Sequence, residues 1–406
     1  MNPAPSEPRT PARPEREIYL DACATSPPAA PVLAAMAQAD ADAWANPSSL
    51  HRSGQAASER LERSRQTLAH LLGCDPEELV MVSGGSEAIH TALIGSAAAL
   101  EPGRLVLSAV EHPASYAAAA QLVRRGWQLE LLPVDRVGRV DLDALQALLA
   151  PPTRLVSVLW GQSEVGTIQP IATIGRLCRE AGVLLHVDAV QVVGHLPIDF
   201  TRLPVDLLSC AAHKLQGPRG VGALLVRRGL RLEPLIGGVQ EGGRRGGTEP
   251  VALAAGFAAA LELAAQRLDV NEGHDPLASL RDGLLKDLLQ LEGVQLSGPD
   301  PKDPGGRLPH HISLLVATPE GRCLNGRQLV RELARSGYAI SSGSACTSGG
   351  GAAAAASAVL LAMGYSAEEA ASGLRISLGP WLSGAELAGV VPALDQARRR
   401  LMEAPR

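Results

Sequence analysis

Apolar residues along this chain fall into two spacings that alternate from about residue 79 to about residue 226. Short apolar runs ("ELVMVSGG", "RLVLSAVE", "QLELLPV", "TRLVSVLW", "VLLHVDAV") are interleaved with longer segments of helical period ("SEAIHTALIGSAAAL", "PASYAAAAQLVRRG", "DLDALQALL", "IATIGRLCREAG"). Several of the runs carry no polar alternation, which predicts strands covered on both faces. The alternation itself predicts right-handed crossovers and a mostly parallel sheet. "VDLLSCAA" and "GVGALLVRR" follow as strands around a loop. Upstream, "EIYLDACA" predicts a short strand and "AAPVLAAMAQADADAWA" a helix. "QAASERLERSRQTLAHLLG" predicts an amphipathic helix that stops at Gly73.

Beyond about residue 265 the pattern changes. Helices ("NEGHDPLASLRDGLLKDLLQ", "NGRQLVRELARSG") now sit among strands ("VQLSGPD", "HISLLVA", "GLRISLGP") with no regular alternation. The expected organisation is a leader over 1–17, a large α/β domain over 18–265 and a smaller α+β domain over 266–406.

Composition narrows the function classes. The 406 residues are 46% hydrophobic and carry a net charge of -5. With no Lys/Arg cluster beside aromatics, direct nucleic-acid binding is not expected. No apolar run approaches the roughly 20 residues of a membrane span. The Pro-rich, charged "MNPAPSEPRTPARPERE" lacks a hydrophobic segment, so it reads as a disordered leader rather than a secretory signal. A cytoplasmic protein is expected. The six cysteines form no C-x-x-C pair, and no metal site is expected. Cys74, Cys178 and Cys210 lie in apolar or periodic contexts, as small buried hydrophobes do. Cys346 does not: it lies in "SSGSACTSGGG", where nothing can pack a core.

In a parallel α/β sheet, ligands bind beyond the carboxyl ends of the strands. Three strand ends carry polar residues. "VMVSGGSEA" ends a strand in a Gly-Gly-Ser turn before a helix. It reads as a phosphate cradle or as an N-cap with a tight turn. Asp188 ends the apolar "LLHVDAVQ", with Gln191 three residues on. It is either a capping residue or a carboxylate that needs a cation. His213 and Lys214 leave the next strand before a Gly/Pro loop. Lys214 is either surface or a Schiff-base lysine. Taken together, an anion cradle, a buried carboxylate and a strand-end lysine meet the needs of a pyridoxal phosphate site.

Ten stretches sharpen this reading: "YLDACATSP", "NPSSLHRSGQAA", "SGGSEA", "EHPAS", "SEVGTIQPI", "HVDAVQVVGHLPID", "AAHKLQGPRGVGAL", "GGTEP", "SGSACTS" and "LRISLG". In this order the chain resembles the cysteine desulfurases of the NifS/IscS type, within the class-V aminotransferase-like enzymes of fold type I. The resemblance implies a homodimer that uses pyridoxal 5'-phosphate and L-cysteine. It also implies a protein that accepts the sulfur, such as an iron–sulfur cluster assembly scaffold or another sulfur carrier. Lys214 would carry the cofactor aldehyde, Asp188 would pair with the ring nitrogen and Gln191 with the phenolic oxygen. His112 would stack on the ring and help proton transfer. Ser86 and His213 would bind the phosphate, joined by Thr248 from the other subunit. Arg375 would clamp the substrate carboxylate. Cys346, on a mobile loop over about 341–357, would become the persulfide. Two positions depart from the family pattern: Ser163 stands where an asparagine contacts cofactor and substrate, and Ala211 where a hydroxyl is usual. The alternatives are a selenocysteine lyase, a cystine or cysteine C–S lyase, an aminotransferase-like enzyme, or a non-catalytic sulfur-transfer scaffold.

Overall fold

The structure, a computed structural model, describes residues 17–343 and 356–403. Residues 1–16 of the expected 1–17 leader, and Cys346 with most of the loop expected over 341–357, lie outside the described residues. The strands, in chain order, are β1 (Ile18–Tyr19), β2 (Leu79–Val82), β3 (Arg104–Ser108), β4 (Gln128–Leu132), β5 (Thr153–Leu159) and β6 (Leu184–Asp188). They continue with β7 (Leu207–Ala211), β8 (Gly222–Val226), β9 (Val294–Leu296), β10 (His311–Val316), β11 (Tyr338–Ala339) and β12 (Gly373–Ser377).

Seven strands form the main sheet in the order β2-β8-β7-β6-β5-β3-β4. Only β8 runs antiparallel to its neighbours in it. The strands β2, β3, β5, β6 and β7 therefore all end at one edge. β2, β7 and β8 are buried at every position, as the unbroken apolar runs predict for a sheet covered on both faces.

One covering element is the helix Val251–Val270. By length and composition it could cross a bilayer, which corrects the expectation that no stretch approaches that length. Here Ala254, Phe257, Ala260, Leu261 and Ala264 bury it in the main core instead. The helix also runs through position 265, so its last turn continues beyond the change of pattern placed there.

The smaller lobe is an antiparallel sheet, β12-β10-β9, with its own apolar core. The first strand departs from expectation. Only Ile18 and Tyr19 form it, and they pair in parallel with β11. Leu20 is buried in the small-lobe core, and that apolar anchor draws the segment away from the main sheet. An isolated bridge then sets Asp21 beside Ser377 of β12, and another sets Ser341 beside Arg375.

The predicted helix after β2 also has an irregularity. It is α-helical over Gly85–His90 and widens to a π turn over Thr91–Gly95. A Cβ on Gly95 would lie 2.5 Å from the Glu233 carbonyl oxygen. The bare glycine is what lets this turn meet the neighbouring loop, and widened turns of this kind recur near functional sites.

A buried ion pair locks the loop after β8. Arg65 donates from two nitrogens to the two carboxylate oxygens of Glu241, at 2.8 and 2.7 Å. Glu241 also accepts from Met81 N at 2.8 Å, and Arg65 donates to the Leu79 carbonyl. Removing one partner strands the other charge in a buried setting. Arg65→Ala is expected to cost about 3–5 kcal/mol of stability, measured by chemical denaturation of the full chain.

Candidate active site

The strand ends converge on one cavity of about 380 Å³. Eight of the residues singled out by sequence line it: Ser86, His112, Ser163, Asp188, Gln191, His213, Lys214 and Arg375. They come from the ends of β2, β3, β5, β6 and β7 and, for Arg375, from the middle of β12. Thr248 is exposed and does not line it.

Asp188 is 7% exposed and takes the Val190 N–H at 2.9 Å. Burial raises its pKa, while that hydrogen bond, His112 and Lys214 pull it back. Burial lowers the pKa of Lys214. The Lys214 ammonium donates to the carbonyls of Cys23 and Ala24, at 2.5 and 2.7 Å. Gln191 donates to the same Cys23 carbonyl at 3.0 Å, so this one oxygen positions two site side chains.

His112 both caps a helix and lines the cavity. Its Nδ1 accepts from Ala114 N at 3.1 Å, which leaves the proton of a neutral ring on Nε2. Loss of solvent around the ring lowers its pKa, Asp188 raises it and Lys214 lowers it further. His213 is pushed down to about 4 by burial and by the Lys214 and Arg219 charges. It faces the Thr25 hydroxyl at 3.1 Å.

At the end of β2, Gly84 has φ +152° and Gly85 follows it. A Cβ on Gly85 would lie 2.8 Å from a Val190 methyl, and a Cβ on Gly222 only 2.9 Å from Gly84 Cα. The glycines thus let the turn sit tightly against the sheet. Ser86 is in the first turn of the helix that follows. Arg245 reaches this turn and pairs with Glu87 at 3.0 Å. It ties the Thr248 loop to the cradle.

Arg375 has two fixed contacts. It donates to Asp21 at 2.7 Å and to the Ser163 carbonyl at 3.0 Å. Its Nε is buried without a partner among the described residues. Ser163 therefore contributes its backbone to Arg375, and that carbonyl also meets His311 Nε2 at 3.0 Å. The neighbouring Gln162 locks the turn: its side-chain oxygen accepts from Val165 N at 3.0 Å and from Glu164 N. At the other departure from pattern, Ala211 closes β7 as a buried methyl beneath Gly85.

Sequence reasoning assigned no site role to four titratable lining residues: Asp21, Cys23, Glu111 and Glu164. Glu111 had a readable signal. It directly follows an apolar strand run, with serines three residues before it and four after it. Glu164 did not, because its neighbours come from distant chain. Burial raises it to about 7, and Ser357 donates to it at 2.5 Å. A Cβ on Gly343 would lie 3.0 Å from the same carboxylate. The two described flanks of the Cys346 segment therefore meet at Glu164.

These residues fit pyridoxal phosphate. The unpartnered Arg375 Nε suits a carboxylate, the glycine turn an anion, and the buried Asp188 a cationic ring nitrogen.

The class-V aminotransferase family model matches residues 18–388. A cysteine desulfurase IscS of Dictyoglomus turgidum is 36% identical, over 95% of this chain and 96% of its own. A solved NifS-like protein superimposes with a TM-score of 0.84 at 30% identity, over 96% of this chain and all of that one. A structure described as SspA in complex with cysteine gives a TM-score of 0.76 at 30% identity, over 90% of this chain and 99% of that one. With this agreement along nearly its whole length, the chain belongs to the class-V aminotransferase family, among the cysteine desulfurases of the NifS/IscS type.

Proposed function

We propose that this protein converts L-cysteine to L-alanine with pyridoxal phosphate and leaves the sulfur on Cys346 as a persulfide. The observation that carries the reading is the convergence of Asp188, Lys214 and the half-engaged Arg375 on one cavity. The cysteine desulfurases among its relatives support the choice of reaction, as does the cysteine complex of a similar structure.

When bound, pyridoxal phosphate supplies an electron sink for charge developing on the substrate carbon skeleton. Ser86, His213 and the Gly84–Gly85 turn would hold its phosphate, Asp188 its ring nitrogen and Gln191 its phenolic oxygen. Lys214 would hold its aldehyde, and His112 its ring face.

The protein's own groups then divide the work. Arg375 binds the substrate carboxylate, its plane fixed by Asp21 and Ser163. Lys214, whose pKa is lowered by burial, moves the α-proton as the base. The proton on His112 Nε2 is available to the cavity that this side chain lines. The Cys346 thiolate attacks the substrate sulfur. A new S–S bond forms as the substrate C–S bond breaks, and the carbon fragment takes up a proton and leaves as alanine. A thiolate is required, and an acceptor protein takes the sulfur onward.

We also propose a homodimer in the cytoplasm. Trp44, Leu50 and Val239 are 73%, 91% and 84% exposed, an unusual degree for large apolar side chains. Val239 shares a loop with Thr248, which would reach the phosphate of a second copy.

The loaded protein should absorb in the visible and release sulfide and alanine from cysteine plus a reductant. A chain that takes up no pyridoxal phosphate overturns the reading. Cys346→Ser should keep the colour and lose sulfide release. Undiminished release would assign a C–S lyase that needs no cysteine. Arg375→Lys should raise KM for cysteine roughly 10- to 100-fold, the cost of about 1.5–3 kcal/mol for a charged hydrogen bond, with a smaller change in kcat.

A further inference from the structure

Glu111 lines the cavity and is 4% exposed. It receives the Ser108 hydroxyl at 3.0 Å and the Leu159 N–H at 2.6 Å on one oxygen. The Ser115 hydroxyl meets its other oxygen at 2.9 Å. These contacts join the end of β3, the end of β5 and the helix Pro113–Val123, which His112 caps. Leu159 is in turn the register partner of Asp188. Two buried carboxyls thus flank the end of β5, Glu111 from the loop after β3 and Asp188 from the end of β6. Among the described residues, no Lys or Arg forms an ion pair with Glu111. The titratable groups around it are Asp188, His112 and Tyr116.

His112 and Lys214 favour the charge on Asp188, and among the described residues no cation does so for Glu111, so of the two carboxyls Glu111 is the one that keeps its proton. The neutral form of Glu111 satisfies its bonds as well as the charged one. One oxygen accepts from Ser108 and Leu159, and the other, carrying the proton, donates to the Ser115 oxygen. We propose that Glu111 is a positioning residue that works as a neutral carboxylic acid, clamping two strand ends and the His112 helix while leaving the negative charge under the cofactor ring to Asp188. This rests on the reading above only for the charge that Asp188 must carry. Burial and then Asp188 raise Glu111 to about 8.

The sign of the pH dependence follows. The folded state holds the Glu111 proton between its usual 4.5 and about 8, whereas the unfolded chain has lost it. Stability attributable to this group therefore falls as pH rises through that window and is flat above it. Glu111→Gln removes the dependence. Melting temperatures of the full chain should show the Gln variant gaining on the wild type between pH 5 and pH 8, with and without pyridoxal phosphate. Infrared difference spectra of the two proteins near pH 7 should show a protonated carboxylic acid band in the wild type alone. A pH-independent stability difference, or an unchanged band in Glu111→Gln, overturns the proposal. Should that variant not fold, the wild-type band is titrated with Ser115→Ala as the probe. A band that shifts in Ser115→Ala and disappears above pH 8 supports the proposal, and one that does neither overturns it. None of these readouts depends on sulfide release, so failure of the desulfurase reading is scored separately.

Discussion

A carboxylate at the end of an apolar strand sets the terms for everything around it. Asp188 follows Leu184, Leu185 and Val187 in a strand flanked by two others in the same sheet. Leaving such a charge uncompensated costs several kcal/mol. The fold brings His112 and Lys214 to it from neighbouring strand ends, and each of the three is displaced from its usual titration by loss of water. The pull among them only partly offsets that loss. A site in this condition gains from any ligand that brings a cationic ring nitrogen and an anionic tail together.

The second lobe contributes the substrate-facing cation and also fixes its aim. Arg375 emerges from β12 with Asp21 and Ser341 on the same flank. Asp21 reaches that place because Leu20 is buried in the smaller core. Packing energy in one lobe is therefore converted into side-chain geometry in the cavity. Arg65 and Glu241 act comparably on the far side, where they hold the loop from which Arg245 meets the cradle helix.

Much of this was legible in the chain. Apolar runs without alternation identify the covered strands, and their polar ends identify Asp188, His213, Lys214 and Ser86. These signals are local, so sequence carries them well. What escaped was non-local. Pairing of β1 with β11 joins residues more than three hundred positions apart. The same holds for Asp21 beside Arg375. Glu164 gathers its significance from Gly343 and Ser357. Ser163 was read for its side chain, but its carbonyl makes the contacts. No residue-type signal reports a backbone atom. The apolar helix Val251–Val270 shows the converse: composition alone does not distinguish a core helix from a membrane-spanning one.

The N-terminal segment has a consequence for the order in which the molecule can be completed. Tyr19, Asp21 and Cys23 precede their partners Trp381, Arg375 and Ser377 by more than 350 positions. The Cys23 and Ala24 carbonyls that hold Lys214 belong to this same segment. During synthesis the main sheet can form while its future lysine anchor is still untethered. The Lys214 anchor is thus set only once β12 is in place, so the smaller lobe governs the geometry of the lysine at the centre of the larger one.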